Sequence, residues 1–438
     1  MELTKLDQIQ AAEARLLLST YDRNPVLFAG GDGVHLIDEH GGRYLDLLSG
    51  IGVNALGYGH PVIEAAIARQ SRALIHTSNL YYHEGQAELA LRLTELTGLD
   101  RAFFCNSGAE AWECAMKLAR AHAGLLRDAG KPVGTKFLAL DQSFHGRTFG
   151  AVSTTYKAKY REPFAPVVPG VEFVRFNDLA DLRAKFSNDV CAILVEAIQG
   201  EGGVRPMTQE FMDEARALTL STGALLIADE IQCGMGRTGK WCAYQHYGIQ
   251  PGAPTDRSSP VGWKPDIATL AKPLAGGLPM GAVLCTEEVS RAFHPGMHGS
   301  TFGGGPLACA VAIAVIDYME NENLLDHATE VGDYFLAQLR SLAKRHDAIV
   351  DVRGKGLMLA AELDSADLAK LVVAEMLKRR ILINCTSDTV LRFLPPYILE
   401  REHVDAAIQA LDEIFTEHAG AVSSAQTAAQ AAGGDIHG

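Results

Sequence analysis

The sequence has no Cys-x-x-Cys pair, no His-Glu-x-x-His, no run of Lys and Arg and no long apolar stretch. Each absence excludes a class of protein. Without paired-ligand spacing there is no sign of a resident metal. The eight cysteines (105, 114, 191, 233, 242, 285, 309 and 385) sit mostly among apolar neighbours. They read as buried, reduced thiols of a cytoplasmic protein rather than as a disulfide framework. The longest apolar run, residues 307–316, falls short of the roughly 18 residues a membrane span needs. Residues 1–20 carry a polar helical pattern in place of a basic-then-apolar leader. With no basic cluster and a formal charge of −14, the chain makes a poor partner for nucleic acid or an anionic membrane. Anionic metabolites would have to be met by a few local arginines.

What is present is ordinary for an enzyme. The 438 residues are 47% apolar and 21% charged, enough for a core that needs no disulfide or metal support. Residues 30–46 read as a hairpin turning at 39–42. Beyond residue 61, short apolar runs alternate with amphipathic stretches. The runs are 102–105, 136–140, 171–176, 191–197, 224–229, 267–271 and 281–285. Nearly continuous apolar strands are covered on both faces. Strand–helix alternation then predicts an α/β fold with a mostly parallel seven-stranded sheet, helices on both faces and ligands beyond the strand carboxyl ends. Residues 251–262 read as an inserted surface loop. From residue 307 the chain is more helical, with a β-like pair at 356–363 and 390–393. Residues 419–438, largely Ala, Gly, Gln and Ser, are expected to be a disordered tail.

Several strand ends carry residues suited to chemistry. Ser107 caps the helix after the first run, with Glu110 completing a capping box. Gly108 lets a ligand approach, and a helix N-terminus accepts anions. Asp229 ends a buried strand, where a carboxylate needs a cation or hydrogen-bond donors. Lys272 follows another, and apolar surroundings favour its nucleophilic neutral amine. Phe144-His-Gly-Arg147 offers a ring face and a guanidinium for carboxylates. Each feature alone is equally an ordinary cap, ion pair, surface lysine or loop, and His145 alone reads as a structural histidine. Residues 234–241 nearly match a P-loop, but Trp241 stands where that pattern needs a hydroxyl. No Gly-x-G-x-x-Gly joins a strand to a helix as a dinucleotide site requires. Together the features supply an anion cradle, a ring-nitrogen partner, an aromatic face, an amine and a carboxylate clamp. Pyridoxal phosphate chemistry uses that set.

On these residues the sequence resembles the class III aminotransferases of the fold-type I pyridoxal-phosphate enzymes, from about Tyr21 to Ile414. The motifs are Asn106-Ser-Gly-Ala-Glu-Ala111, Phe144-His-Gly-Arg-Thr148, Glu196-Ala-Ile-Gln-Gly-Glu-Gly-Gly203, Asp229-Glu-Ile-Gln-Cys-Gly-Met-Gly-Arg-Thr-Gly239, Leu270-Ala-Lys272 and His298-Gly-Ser-Thr-Phe-Gly303. The resemblance implies that Lys272 carries the cofactor and shuttles the proton, while Asp229 holds the pyridine nitrogen protonated. Gln232 would lie near the phenolic oxygen and Phe144 would stack on the ring. Ser107, Gly108 and Ala109 would bind the phosphate. Thr301 would reach the neighbouring subunit's phosphate, making a homodimer with shared sites. Arg147 and Arg392 would bind substrate carboxylates, and Glu201 would pair with Arg392 when the donor brings no carboxylate there.

Within the class the chain is most similar to acetylornithine aminotransferases, through residues 50–57, 76–82 and 234–240. That likeness implies ping-pong transfer of the distal amino group of N-acetylornithine to 2-oxoglutarate, in arginine biosynthesis. Tyr21 would stand at the entrance, and Ile51 would replace a tyrosine of ornithine enzymes. Gly305 stands where an Asn is usual. Another ω-amino donor (ornithine, 4-aminobutyrate, succinyldiaminopimelate or a lysine-type amine) is the alternative. The expected divisions are 1–60 with the small C-terminal domain at 306–418, and a large cofactor domain at 61–305.

Overall fold

The computed structural model describes residues 4–247 and 264–433, with side chains as far as residue 419. The insertion at 251–262 lies outside the described residues.

All seven apolar runs are strands of one sheet. In chain order they are β1 (Arg101–Cys105), β2 (Lys136–Leu140), β3 (Val171–Val174), β4 (Val190–Val195), β5 (Leu225–Asp229), β6 (Ile267–Leu270) and β7 (Gly281–Cys285). Their spatial order is β1-β7-β6-β5-β4-β2-β3. Only β7 runs against its neighbours, β6 and β1. The sheet is therefore mostly parallel, which aligns the carboxyl ends of β4, β5 and β6.

Side-chain alternation puts the two faces into different cores. Phe137 and Ala139 pack with Trp112, Ala115 and Ala119 of α1 (Gly108–Asp128). Leu138 and Leu140 pack on the other face, in the cluster that holds Phe211 and Met212 of α2 (Gln209–Thr222) and Ala312 and Ile316 of α3 (Pro306–Asn321). Continuous apolar strands were the signature of this two-sided cover.

A third core holds the C-terminal unit. Its antiparallel sheet joins β8 (Ile349–Lys355), β9 (Met358–Leu363), β10 (Asn384–Thr386) and β11 (Val390–Phe393) in the order β8-β9-β11-β10. Val34, Leu45 and Leu47, from the start of the chain, share this core. The strand Arg43–Asp46 pairs in parallel with Ile381–Leu382, so the two chain ends are stitched together. The last helix runs Arg401–Gly433. It continues through residues expected to form a structureless tail. Alanine is the strongest helix former, so an Ala-rich stretch following a packed helix can extend it.

Candidate active site

The centre of the site is set by strand register. Ala228 of β5 pairs with Val195 of β4, so the next residues, Asp229 and Glu196, leave the sheet side by side. Both are buried. Asp229 Oδ1 accepts from the Ile231 backbone N–H at 3.1 Å and from the Thr269 hydroxyl at 3.4 Å. Its Oδ2 lies 2.6 Å from His145 Nδ1. The His145 ring stacks on Trp112, with centroids 3.9 Å apart and planes within 5°. Glu196 accepts from the N–H groups of Phe144 at 3.0 Å and Gly200 at 3.1 Å. Burial, and then the Asp229 charge, push the Glu196 carboxyl up to about 8 despite those bonds.

The helix-start expectation holds with one change. Ser107 Oγ accepts from the Glu110 N–H at 3.2 Å, as an N-cap should. The returning arm of the box goes one residue earlier, because Glu110 Oε2 takes the Asn106 N–H at 2.6 Å. The first-turn N–H groups of Gly108 and Ala109 have no acceptor within the helix, and both residues line the cavity. A Cβ on Gly108 would stand 2.9 Å from the Ile231 side chain, so a glycine is what lets the helix start seat here.

Lys272 stands two residues past the end of β6 and has φ +45°, a left-handed conformation costly for a residue with a side chain. Burial and then the Arg392 charge pull its amine below the usual lysine range, against the opposing carboxylates of Glu201 and Asp229. Arg392, on β11, is buried and bonds Glu201 Oε1 at 2.5 Å, Gln232 Oε1 at 3.1 Å and Asn384 Oδ1 at 3.2 Å. Burial alone would raise the Glu201 carboxyl, but the Arg392 charge and hydrogen bond, with Lys272, hold it below its ordinary value. The C-terminal sheet thus delivers a cation to the strand ends of the central one.

These groups surround a cavity of about 320 Å³. Ser107, Gly108, Ala109, Phe144, Glu201, Asp229, Gln232 and Lys272 all line it, and Arg392 backs it through Glu201 and Gln232. Four other expected site residues do not form its wall. Arg147 is exposed and stacks on Tyr160, 3.7 Å from the ring centroid. Thr301 and Tyr21 are exposed too. Ile51 is exposed with φ +64°, and Val53 of the same loop lines the cavity instead. Sequence reasoning missed Glu196, His145 and Val53. Glu196 had a usable signal, since it falls at the end of an apolar run just as Asp229 does.

A cavity of this kind suits a flat anionic heterocycle. Free N–H groups face one end, a buried carboxylate stands ready for a ring nitrogen, and an amine is poised for an aldehyde. Among the described residues no cluster of His, Cys, Asp and Glu could hold a metal ion. The donors fit pyridoxal 5′-phosphate, and the class of protein they define is a pyridoxal-phosphate enzyme.

The comparisons narrow the class. The chain belongs to the family described as Aminotransferase class-III, whose profile matches residues 19–415. Acetylornithine aminotransferase of Methanocaldococcus jannaschii is 46% identical over 409 residues, 92% of this chain and 97% of that one. The enzyme of the same name from Aquifex aeolicus is 44% identical, over 91% and 99%. Among solved structures, ornithine aminotransferase from Toxoplasma gondii superposes with a TM-score of 0.87 at 32% identity, covering 96% of this chain and 97% of that one. The protein is a fold-type I aminotransferase, and pyridoxal phosphate is its cofactor.

Proposed function

We propose that the enzyme transfers the distal amino group of N-acetylornithine to 2-oxoglutarate, giving N-acetylglutamate semialdehyde and glutamate, a step of arginine biosynthesis in the cytoplasm. The observation that carries this reading is the salt bridge between Glu201, which lines the cavity, and Arg392 behind it. A distal amine brings no carboxylate near the reacting carbon, so it needs Arg392 masked. A 2-oxo diacid does bring one, so it needs Arg392 free. One salt bridge that opens and closes lets a single cavity serve both half-reactions. The 40–46% identity to curated acetylornithine aminotransferases supports the choice of donor.

The chemistry that the bound cofactor supplies is an aldehyde to carry the amino group and a ring to take up the electron pair released at the substrate carbon. The remaining roles fall to side chains. Lys272 would hold the cofactor through its aldehyde and, as a free amine, would take the proton from the substrate carbon and pass it on along the same face. Its depressed basicity suits both tasks. Asp229 keeps the ring nitrogen protonated. Gln232 would meet the cofactor's phenolic oxygen, and Phe144 would cover a ring face; both line the cavity. Ser107, Gly108 and Ala109 hold the phosphate at the start of α1. Arg147 takes the α-carboxylate of the donor, with Tyr21 and Ile51 at the entrance.

Thr301 acts across a homodimer in this reading, which accounts for its standing outside a single chain's cavity. The apolar patch around Thr301 supports it. Leu80, Tyr81, Tyr82 and Phe302 are exposed, and the two segments are tied by Asn79 Nδ2 bonds to Ser300 O and Gly303 O. Such a patch marks an interaction site.

Competition between N-acetylornithine and ornithine at equal concentration tests the donor. We expect the acetylated amine to be favoured by about tenfold or more in kcat/KM, the ratio that ~1.4 kcal/mol gives. Equal use, or preference for ornithine, 4-aminobutyrate, succinyldiaminopimelate or lysine, overturns the choice of donor and leaves the aminotransferase standing.

A further inference from the structure

Arg147 and Arg392 are both expected to meet a carboxylate, and the fold holds them in different ways. Arg392 is buried and its edge is already taken, by Glu201, Gln232 and Asn384. Arg147 is exposed and makes no hydrogen bond or ion pair among the described residues. It is held by its faces instead. Its guanidinium carbon lies 3.7 Å from the ring centroid of Tyr160 and 5.6 Å from that of Phe144. Phe144 lines the cavity, so this guanidinium stands at the cavity rim.

A stacked guanidinium differs from a salt-bridged one in what it leaves free. The attraction to an aromatic ring acts on the flat face of the group. The N–H donors lie in the plane and point outwards. Stacking therefore fixes the plane and uses none of the donors. An acidic partner would occupy the edge with which a guanidinium grips a carboxylate bidentately.

The ring that does this is itself anchored. Tyr160 is half-buried on the single helical turn Ala158–Arg161, and its N–H bonds Lys157 O at 2.9 Å. Arg161 closes the turn by donating to Tyr156 O at 2.9 Å, and lies over the Phe173 ring of β3 at 4.7 Å. Tyr156 meets Phe173 nearly at right angles, with centroids 5.4 Å apart, and its N–H bonds Ser143 O at 3.0 Å. Tyr160 also stands nearly perpendicular to Phe144, with centroids 6.3 Å apart. Lys159 Nζ lies 5.4 Å from the Tyr160 centroid and adds positive charge beside Arg147. The sheet edge thus carries one ring whose face presents a cation with a free edge.

We propose that Tyr160 is a positioning residue for donor binding: its ring face presents the Arg147 guanidinium, edge free, to the α-carboxylate of the amino donor. This rests on the reading of Arg147 as the group that takes that carboxylate. The stack favours distal amines that carry a carboxylate over the same amines without one.

Three variants, a pair of donors and a ligand that cannot react test it. Tyr160→Leu removes the ring, Tyr160→Phe keeps the ring without its hydroxyl, and Arg147→Ala removes the guanidinium. The donors are N-acetylornithine and N-acetyl-1,4-diaminobutane, the same amine without the carboxylate. N-acetylnorvaline keeps the carboxylate and lacks the distal amine, so calorimetry with the holoenzyme reads its binding at equilibrium. Y160L is expected to raise the Kd of N-acetylnorvaline and the KM of N-acetylornithine about fivefold, as loss of a cation–π contact does, with the loss falling on KM rather than kcat. Y160F should stay within about twofold of the parent in both. With N-acetyl-1,4-diaminobutane, Y160L and the parent should be alike. An equal loss with both donors would make Tyr160 a structural residue and overturns the inference. So does a Y160F as poor as Y160L, which would assign the effect to the hydroxyl. Weakened N-acetylnorvaline binding in R147A with none in Y160L overturns the inference alone, whereas unchanged binding in R147A removes the Arg147 reading and the inference with it.

Discussion

The two ends of the central sheet each bury charge, and they do so in opposite ways. At the amino end, Arg216 of α2 meets Asp266 just before β6, with bonds of 2.7 and 3.3 Å. Asp266 Oδ2 also accepts the Leu226 N–H at 2.8 Å. Both side chains are almost fully buried. At the carboxyl end, Asp229, Glu196, Glu201, Lys272 and Arg392 crowd together against a cavity. Glu201 and Arg392 pair there, but the other charges are left unbalanced: Lys272 is depressed and Glu196 is raised. A closed pair contributes little beyond its own desolvation cost and serves as a tie between elements. An open cluster stores unequal proton affinities, which is what acid–base chemistry uses.

Breaking each end separates the two roles. The largest effect is expected from Lys272→Ala. Amino transfer should fall by roughly 10³-fold or more, since the group that moves the proton is gone. The urea midpoint of the apoprotein should not fall, because a strained, depressed amine leaves the site. Single-turnover rates and equilibrium unfolding check both halves, and a large loss of stability would make Lys272 a structural residue.

Arg216→Ala should do the reverse. Leaving Asp266 buried without its cation is expected to cost about 3–5 kcal/mol in unfolding free energy. Turnover per folded molecule should stay near that of the parent. Chemical denaturation with active-site titration tests this, and a selective loss of turnover would tie the amino end to catalysis.

Protons sharpen the contrast next. Burial raises Glu196 from 4.5 to about 8 and Glu230, which accepts the N–H groups of Ala243 and Tyr244, to about 7. Folding raises both, so the stability they contribute is full below 4.5 and is lost as pH climbs through 7 and 8. Urea midpoints of the apoprotein should therefore decline across that window. Glu196→Gln cannot ionise and should flatten part of the decline. An unaltered slope would mean that Glu196 is ionised throughout.

The smallest change is expected from replacing the closed pair by apolar residues of similar size. Arg216→Met with Asp266→Leu should bring stability back to within about 1 kcal/mol of the parent, or above it. The same unfolding assay decides, and a loss as large as that of the single variant would show that the pair's specific hydrogen bonds hold the sheet end.

Much of this was legible in the chain. The seven strands appear as seven apolar runs because a strand covered on both faces must be apolar throughout. Lys272, Asp229 and the Ser107 helix start were found by their positions at run ends. Glu196 and His145 were not recognised, because their importance depends on neighbours. Glu196 matters through the β4–β5 register, and His145 through a stacking partner 33 positions earlier (145 minus 112).

The sequence by itself determined the elements, the family and the chemical inventory, since periodicity, caps and motifs are local and are written residue by residue. The tertiary structure alone decided the order β1-β7-β6-β5-β4-β2-β3, which sets Asp229 beside Glu196. It also brought Arg392 across 191 positions to Glu201. Proton affinities follow from burial and from the charges that happen to lie alongside, and neither exists until the chain has folded.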